Sequence, residues 1–316
     1  MRPITYFHGL VALLLTIGLT GCGAATSSSS GNVEYRNIWI INADGSGEAE
    51  LVYSDLDLSN PRFSPDGAQI TLDTSNTLSV IERRSDVYVA SVNVDSSRGI
   101  ATSNLDESGA QWSPDGTRLA FEVDGSIWVM TIATGATSNI AVGHRPIWSP
   151  DGQTIAYDYD GIRVVSANGG SSQLIGPNGT QPAWFSTGDA LVYALSSGSS
   201  STIKRVTFPG GTIATLASGS NPVVHPSTTT VVYERDGDLF AKAVGGTESL
   251  VALASNSAAY SPNGTKLAYV YTANGSNQIA VISVSATASV SILTTGTRPA
   301  WSPNSQKLVF EKSVLR

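Results

Sequence analysis

One short phrase recurs seven times along this chain and constrains its fold more than any other feature. Each copy has an apolar or aromatic residue, then Ser-Pro-Asp-Gly or a variant of it, then two or three apolar residues that in most copies end in an aromatic. The copies are centred on residues 65, 114, 150, 186, 226, 262 and 303, so neighbouring centres lie 36 to 49 residues apart. A repeat of roughly 40 residues built from short strands is typical of a β-propeller, in which each repeat is one blade.

The third copy shows how one repeat divides into four strands. Residues 146–149 and 154–157 are predicted as strands one and two, joined by a Pro-Asp-Gly turn in which proline presets one backbone angle and glycine accepts a positive φ. Residues 162–165 and 173–175 are predicted as strands three and four. A two-residue hairpin signal joins strands two and three, at Asp160-Gly161 here and at Asp124-Gly125, Asp236-Gly237 and Asn274-Gly275 in other copies. Trp112, Trp148, Trp184 and Trp301 share one repeat position and are predicted to pack between blades.

The two ends of the chain supply complementary halves of one blade. Residues 37–41 and 50–52 match strands three and four, and residues 299–302 and 307–310 match strands one and two. Pairing them completes a blade and removes the sheet edges that an open array would expose. The predicted fold is therefore all-β, a seven-bladed β-propeller of four-stranded antiparallel blades over residues 34–316, whose last blade is closed by the N-terminal strands. Six blades is the alternative count.

The N-terminal residues have a different composition. Residues 1–21 combine positive charge at Arg2 with an apolar run that starts at Leu10, and they predict an export signal, since the run is too short for a spanning helix. Cys22 is the only cysteine and follows Thr20 and Gly21, a pattern that resembles the lipobox of bacterial lipoproteins and implies a lipidated Cys22. Residues 22–33 are then the lipidated cysteine and a flexible serine-rich linker. The alternative is an ordinary secreted protein with a stray cysteine.

Charge argues against one class of partner. The net charge is −7, with a pI of about 4.9, and Lys and Arg do not cluster. Nucleic-acid binding requires a basic stripe, so no nucleic-acid partner is expected. A single cysteine forms no intrachain disulfide, so packing alone must hold the fold.

The repeat resembles the TolB-type, WD-like propeller repeat, whose consensus is close to PxWSPDGxxIAF followed by a strand and a turn such as the Asn-Ala-Asp-Gly-Ser-Gly of residues 42–47. The resemblance spans residues 34–316. It implies a propeller fold, while propellers of this kind serve as scaffolds, envelope machinery and enzyme accessory domains alike. TolB itself carries an additional N-terminal domain and takes part in the Tol-Pal system, and we expect no counterpart of that domain here. The lipobox resemblance, with Gly23 rather than aspartate after the cysteine, implies an outer-membrane, periplasm-facing location if the host has two membranes.

Two sets of residues are predicted to lie on one face, at the mouth of the central channel. The first set directly precedes the strand-one proline or its alanine replacement: Asn60, Gly109, Arg145, Gln181, Asn221, Ser257 and Arg298. The second set directly follows the end of strand two: Asp73, Glu122, Asp158, Ala194, Glu234, Val270 and Glu311. Five of the second set are acidic, which predicts carboxylates around the mouth interleaved with Arg145 and Arg298. The candidate binding face comprises Asn60, Asp73, Glu122, Arg145, Asp158, Gln181, Asn221, Glu234, Arg298 and Glu311.

Three interpretations of these carboxylates remain open. They form a docking face, they hold Ca²⁺ or another divalent cation at the channel mouth, or they serve only solubility and turn formation. No cofactor is required by the sequence.

Residues for catalysis do not converge. His144 and His225 are predicted to project to opposite faces, and residues 34–316 contain no Gly-x-Ser-x-Gly elbow. The predicted function is therefore a lipid-anchored cell-envelope scaffold, monomeric and not an enzyme, that binds a protein or an envelope glycan. The alternatives are a glycan-active lyase or hydrolase that uses the acidic mouth residues, and a purely structural surface lipoprotein.

Overall fold

The computed structural model describes residues 34–75, 85–93, 97–101, 105–198, 200–284 and 289–315. The predicted signal segment, Cys22 and the linker lie outside these residues. Within the described ranges the chain forms 28 strands and no helix, and so contains no helix that could cross a membrane. The strands form seven sheets of four antiparallel strands each, which confirms the seven-bladed propeller.

The strand bounds show a regular succession of short segments. In chain order they are β1 (Glu34–Asn42), β2 (Ala49–Val52), β3 (Asp57–Phe63), β4 (Gln69–Ser75), β5 (Ser85–Ser91), β6 (Ser97–Ala101), β7 (Glu107–Trp112), β8 (Arg118–Val123), β9 (Ser126–Thr131), β10 (Thr137–Val142), β11 (His144–Trp148), β12 (Thr154–Asp158), β13 (Ile162–Ser166), β14 (Gln173–Gly176), β15 (Gly179–Trp184), β16 (Ala190–Ser197), β17 (Ser200–Thr207), β18 (Ile213–Ser218), β19 (Ser220–Val224), β20 (Thr230–Arg235), β21 (Asp238–Ala243), β22 (Glu248–Ala252), β23 (Ser255–Tyr260), β24 (Lys266–Ala273), β25 (Ser276–Ser283), β26 (Val290–Thr295), β27 (Thr297–Trp301) and β28 (Lys307–Leu315).

Blades 1 to 6 each use four consecutive strands, starting with β3–β6 and ending with β23–β26. Blade 7 has the order β2-β1-β28-β27, so both chain ends contribute to it. Strands β1 and β28 pair antiparallel over nine residues, from Glu34 opposite Leu315 to Asn42 opposite Lys307. The predicted closure is confirmed, and the strand-two segment continues beyond the predicted residue 310 to Leu315 because β1 offers it a partner along its whole length.

The Ser-Pro-Asp-Gly phrase forms the turn between strands one and two. In blade 2, Ser113 Oγ donates to Asp115 Oδ1 at 2.5 Å and accepts the Arg118 amide at 2.9 Å, while Gly116 adopts a φ of 71°. The hydrogen bond from Ser113 holds the pKa of Asp115 down at about 2. A Cβ on Gly116 would lie 3.5 Å from Pro65 Cδ of blade 1. The phrase therefore forms the turn and also a contact with the preceding blade.

This contact recurs around the ring. The glycine of one blade meets the proline of the preceding blade in the pairs Gly67–Pro303, Gly116–Pro65, Gly152–Pro114, Gly188–Pro150 and Gly264–Pro226. In blade 5, His225 replaces the serine of the phrase. Its Nδ1 accepts the Ser227 amide at 3.1 Å and its Nε2 lies 3.0 Å from the Gly264 carbonyl oxygen of blade 6. This histidine is buried and has a structural role at the face opposite His144.

The hairpins between strands two and three follow the prediction with one exception. The pairs Asp124-Gly125, Asp236-Gly237 and Asn274-Gly275 form two-residue loops in which both residues have a positive φ. In blade 3 the prediction is wrong, because Asp158 pairs with Ile162 and leaves a three-residue loop over residues 159–161. The longer loop lets Gly161 come so close to the Gly176 carbonyl that a Cβ would lie 2.7 Å from its oxygen.

The hydrophobic core lies between adjacent blades. The aromatic side chains that end strand two, including Phe121, Tyr157 and Phe310, are among the largest fully buried side chains. Trp148 and Trp301 are also buried, and their indole N–H groups donate to Gln111 O at 3.0 Å and to Ala259 O at 2.9 Å of the preceding blade. Inter-blade packing of the tryptophans is confirmed at these two positions, and Trp112 and Trp184 are partly buried at theirs.

Candidate binding site at the channel mouth

The first predicted set of mouth residues shares one unusual backbone conformation. Each of the seven has a φ between 51° and 68°, and each lies in a β-bulge near the start of strand one: Asn60, Gly109, Arg145, Gln181, Asn221, Ser257 and Arg298. A positive φ is strained for every residue except glycine, and only one of the seven is glycine. Such bulges redirect backbone groups at the rim of a sheet.

In five of the seven blades the bulge directs the backbone amide toward an acid of the preceding blade. These hydrogen bonds are Asn60 N to Glu311 Oε1 at 2.9 Å, Gly109 N to Asp73 Oδ2 at 3.0 Å, Arg145 N to Glu122 Oε1 at 2.5 Å, Gln181 N to Asp158 Oδ2 at 3.2 Å and Ser257 N to Glu234 Oε1 at 2.9 Å. The acids of the second set therefore join neighbouring blades.

Most of these acids also accept a side-chain hydrogen bond from the bulge residue of their own blade. The donor–acceptor pairs are Asn60 Nδ2 to Asp73 Oδ2 at 2.7 Å, Arg145 Nη2 to Asp158 Oδ2 at 2.5 Å, Asn221 Nδ2 to Glu234 Oε2 at 2.7 Å and Arg298 Nη1 to Glu311 Oε1 at 3.1 Å. Glu122, whose own blade has Gly109 at the bulge, instead lies 3.0 Å from Nδ1 of His144 in the next blade. We call Asp73, Glu122, Asp158, Glu234 and Glu311 the carboxylate belt.

Two blades lack the acid, and they differ in what replaces it. Between blades 4 and 5, where Ala194 stands at the acid position, Gln181 Oε1 accepts the Asn221 amide at 3.0 Å. Between blades 6 and 7, the buried Val270 offers no acceptor to Arg298. A carboxylate of the belt thus joins the blades at five junctions, and the side-chain amide of Gln181 takes its place between blades 4 and 5. Neither is present between blades 6 and 7.

Burial of the belt changes its electrostatics. Asp73 is 4% exposed, and this burial raises the pKa of its carboxyl to about 6, although hydrogen bonds from Asn60 and the Gly109 amide act in the opposite direction. Burial also raises the pKa of Asp158, with Arg145 opposing it. Asp73, Asp158 and Glu311 are buried, whereas Glu122 and Glu234 are partly exposed, so the carboxylates around the mouth are only in part accessible to solvent.

The structure brings all ten predicted binding-face residues to this end of the channel. His144, Arg145, Asn221, Ser257 and Arg298 are exposed there, Glu122 and Glu234 are partly exposed, and the neighbouring hairpins carry the exposed acids Asp124 and Asp236. Among the described residues, no three His, Cys, Asp or Glu side chains are grouped so that they could hold a metal ion. The belt carboxylates face amide and guanidinium donors instead.

A cavity of about 610 Å³ extends down the channel between blades 5, 6, 7 and 1. Asn60, Asn221, Glu234 and Arg298 line it near the mouth, and Arg62 lies deeper, at the same repeat position as Val223 and Ala259. Its deeper wall is apolar, with Val223, Val224, Ala259, Tyr260 and Trp301. The cavity thus lies beside the interrupted part of the belt.

Comparison with known proteins assigns the repeat to a protein family. The family model of the TolB beta propeller domain matches residues 24–244, which is more than half of the chain. The chain belongs to the TolB beta propeller family. No curated protein matches its sequence.

Solved structures share this TolB-family fold at low sequence identity. TolB from Acinetobacter baumannii is 15% identical with a TM-score of 0.51, and the match covers 90% of this chain but only 64% of that protein. Kuenenia stuttgartiensis hydrazine synthase is 16% identical with a TM-score of 0.61, covering 81% of this chain and 94% of the other. Oligogalacturonate lyase from Vibrio parahaemolyticus is 13% identical with a TM-score of 0.55, covering 81% and 99%. At these identities the likeness shows the fold alone.

Sequence reasoning missed one residue of this TolB-family channel. Arg62 lies two residues after the bulge on the innermost strand of blade 1, and it lines the cavity. The equivalent residues in the other blades are Gln111, Ile147, Ala183, Val223, Ala259 and Ala300. An alignment of the seven repeats would have shown that Arg62 is the one charged residue at this position, and this difference would have identified it as a candidate.

Proposed function

We propose that this TolB-family propeller is a binding module of the bacterial cell envelope that engages a protein or an envelope glycan through its channel-mouth face. The observation that carries the proposal is the fixed array of polar side chains at the mouth. His144 and Arg145 are exposed there, yet each is hydrogen-bonded to an acid beneath it. Family membership supports a scaffold or binding role, and the N-terminal sequence supports an envelope location.

Arg145 shows why this surface suits recognition. Its side chain is 56% exposed, while its Nε and Nη2 contact Asp158 Oδ2 at 2.6 and 2.5 Å. A side chain that is already held in one orientation loses little conformational freedom when a partner binds. Arg145 thus presents its outer edge in a defined direction.

The polar groups of the exposed side chains at the mouth indicate the chemistry of the partner. Arg145, Arg298 and the hydrogen-bond donors Asn221 and Ser257 lie at the surface, whereas the acids that neutralise them are mostly covered. A partner with carboxylates or other acidic groups complements this surface, and such complementarity favours specificity and fast association. We prefer a binding role to a catalytic one because the belt carboxylates already serve to hold neighbouring blades together.

Site-specific photo-crosslinking in envelope preparations tests the proposal. A photoreactive residue at Ser257, exposed at the mouth, is expected to give a reproducible crosslinked product. The same residue at Gln153, exposed at the Ser-Pro-Asp-Gly face, is the matched control and should give none. Arg145→Ala is expected to reduce the Ser257 crosslink. Equal crosslinking from both faces, or none from Ser257, contradicts the proposal.

Turnover of a polysaccharide would overturn the preference for binding. Purified protein is screened against polysaccharides with and without divalent cations. We expect no depolymerisation. Activity that Glu234→Ala abolishes in a variant with an unchanged melting temperature would establish the lyase or hydrolase alternative.

The anchoring part of the proposal rests on sequence and has its own test. Cys22→Ser is expected to release the protein from membranes, because a lipid chain on this cysteine is the proposed attachment. Membrane fractionation of the host and mass analysis of the mature N-terminus measure the outcome. A Cys22→Ser protein that still sediments with membranes, or a wild-type N-terminus without acyl groups, contradicts the anchor.

A further inference from the structure

Arg62 lines two cavities of the channel. It lines the cavity near the mouth and also a second cavity of about 380 Å³ at the opposite end, which it shares with Phe63, Pro262 and Trp301. It therefore lies where the two cavities meet.

The charge of Arg62 is not matched by an ion pair. The salt bridges among the described residues use Arg36, Arg145, Arg298 and others, and none includes Arg62. Among the described residues, the one hydrogen bond of its guanidinium runs from Nη1 to the carbonyl oxygen of the adjacent Pro61, at 3.3 Å. A guanidinium has five N–H donors, so most of its donor capacity is available to a ligand.

The surroundings favour an anion beside this guanidinium. Burial lowers the pKa of Arg62, the charge of Asp73 opposes this shift, and the charges of Arg298 and Glu311 lower and raise the pKa respectively. Both of those acids are already engaged by bulge amides and by Asn60 or Arg298. A partly desolvated cation is stabilised most by a bound anion that accepts two parallel hydrogen bonds.

The walls indicate what the rest of the ligand resembles. Beside Arg62 the cavity is bounded by Val223, Val224, Ala259 and the ring of Tyr260. A volume of about 610 Å³ is within the range of sites for small organic molecules. An apolar or aromatic group of a ligand fits this wall while its charged end faces Arg62.

We propose that the channel contains a binding site for a carboxylate-bearing molecule with an apolar portion, in which Arg62 binds the carboxylate and Arg298 contributes positive charge from the mouth. The carboxylate is planar and matches the fork of the guanidinium. The site shares Arg298 with the mouth surface, but Arg62 takes no part in docking there, so this inference does not rest on the proposed function.

Calorimetric titration of the full chain with 3-phenylpropanoate and with 3-phenylpropanamide tests this site. The acid is expected to bind at least about tenfold more tightly than its amide, because the hydrogen bonds to Arg62 are charge-assisted. Arg62→Gln is expected to remove this difference. Arg163→Gln, the same substitution on β13 away from the channel, is the matched control and should preserve it.

Competition distinguishes the sources of the carboxylate. An acetylated tripeptide with a free or an amidated C-terminus, and a uronic acid beside its neutral sugar, are titrated against bound 3-phenylpropanoate. Displacement by the free peptide acid points to a chain end, and displacement by the uronic acid points to a glycan. If neither displaces it, the site takes small organic acids.

The contrary results are equally defined. Equal affinity for acid and amide, undiminished acid binding by Arg62→Gln, or no binding of any carboxylate at millimolar concentration overturns the proposal. If Arg62→Gln does not fold, Arg62→Lys carries the test, because it keeps the charge and should retain the preference for the acid with weaker affinity. A failed crosslink at Ser257 leaves this site unaffected.

Discussion

The backbone amide of Asn60 donates a 2.9 Å hydrogen bond to Oε1 of Glu311, a residue 251 positions later in the chain. This bond joins blade 1 to blade 7, next to the strand pair β1–β28 that closes the ring. The Glu311 side chain is only 2% exposed and also contacts the guanidinium groups of Arg298 at 3.1 Å and Arg36 at 3.6 Å. Ring closure therefore combines a backbone ladder with one buried carboxylate that gathers donors from Asn60, Thr297, Arg298 and Arg36.

Glu311→Ala should destabilise the propeller by about 3 kcal/mol, because it leaves two arginines and an amide without their shared acceptor. Urea denaturation followed by tryptophan fluorescence measures the change. Glu311→Gln should cost less, since its amide oxygen still accepts from Asn60. Glu34→Ala, at an exposed acid of the same blade, is the control, and a Glu311→Ala variant no less stable than this control would refute the role of the belt in closure.

Removal of residues 34–55 should abolish cooperative unfolding. The deletion takes away β1 and β2, with the buried side chains of Ile38, Ile41, Leu51 and Val52. Each such side chain contributes about 1.5–3 kcal/mol, and together they approach the net stability of a typical domain of about 5–15 kcal/mol. Calorimetry of the deletion variant should show no sharp transition.

A circular permutant is the control for this deletion, because it changes the chain termini but keeps the contacts of β1 and β2. A short Gly-Ser linker from Leu315 to Glu34 would recreate the hairpin that joins strands two and three in the other blades, because these residues face each other in the ladder. New termini are placed in the exposed segment at Ser171 and Ser172. The permutant should unfold in one sharp transition, and a deletion variant that unfolds equally sharply would mean that blade 7 does not close the ring.

The carboxyl of Asp73 should make stability fall as pH rises from about 4 to 6. Burial raises its pKa to about 6 from an ordinary value near 3.8, so in this interval the folded protein holds a proton that the unfolded chain has released. Protons bound only by the folded state stabilise it, and this contribution disappears above pH 6. Relative to Asp73→Asn, the wild type should lose about 2 to 3 kcal/mol between pH 4 and pH 7.

Denaturation curves of both proteins at several pH values give this difference directly. Asp66→Asn is an informative comparison, because hydrogen bonds from Ser64 and the Ala68 amide lower the pKa of Asp66. Its pH dependence relative to wild type should have the opposite sign, with the wild type gaining stability as pH rises. A wild-type-minus-Asp73→Asn difference that stays constant with pH would show that Asp73 titrates normally.

Gly264→Ala should destabilise the protein more than Gly135→Ala. Both glycines have a φ near 70°, so both substitutions carry similar backbone strain of about 1 kcal/mol. A Cβ at Gly135 meets nothing within 4 Å, whereas at Gly264 it would lie 2.5 Å from Cε1 of His225. Overpacking of this kind adds about 1–3 kcal/mol.

A double-mutant cycle identifies the cause of that extra cost. His225→Ser restores the serine of the repeat and removes the ring that a Cβ would strike. In this background Gly264→Ala should cost no more than Gly135→Ala, which corresponds to a coupling of at least about 1 kcal/mol. Independent, additive effects of the two substitutions would place the strain elsewhere.

The repeat made the architecture accessible from sequence. Strand length, turn chemistry and hairpin signals such as Asp124-Gly125 depend on residues within about ten positions of one another, and seven copies reinforced one interpretation. The loop at Asp160-Gly161 was mispredicted because it has a third residue, and this longer loop lets Gly161 approach Gly176 on the same blade. That approach leaves no local trace in the sequence.

For the candidate site, the sequence identified positions but not partners. It placed Asn60 and Asp73 on one face, since strand ends alternate between faces. It did not show that each acid turns inward to an amide of the next blade, nor that Arg62 lies between two cavities without an ion-pair partner among the described residues.

The sequence by itself determined a closed ring of seven four-stranded blades, because periodic turns and apolar strands act locally and repeat. The tertiary structure alone decided which charges are used and which are available. The carboxylate of Asp73 accepts hydrogen bonds at a blade junction, whereas the guanidinium of Arg62 forms no ion pair with another described residue. This difference depends on how neighbouring blades pack and on how far each group is removed from water.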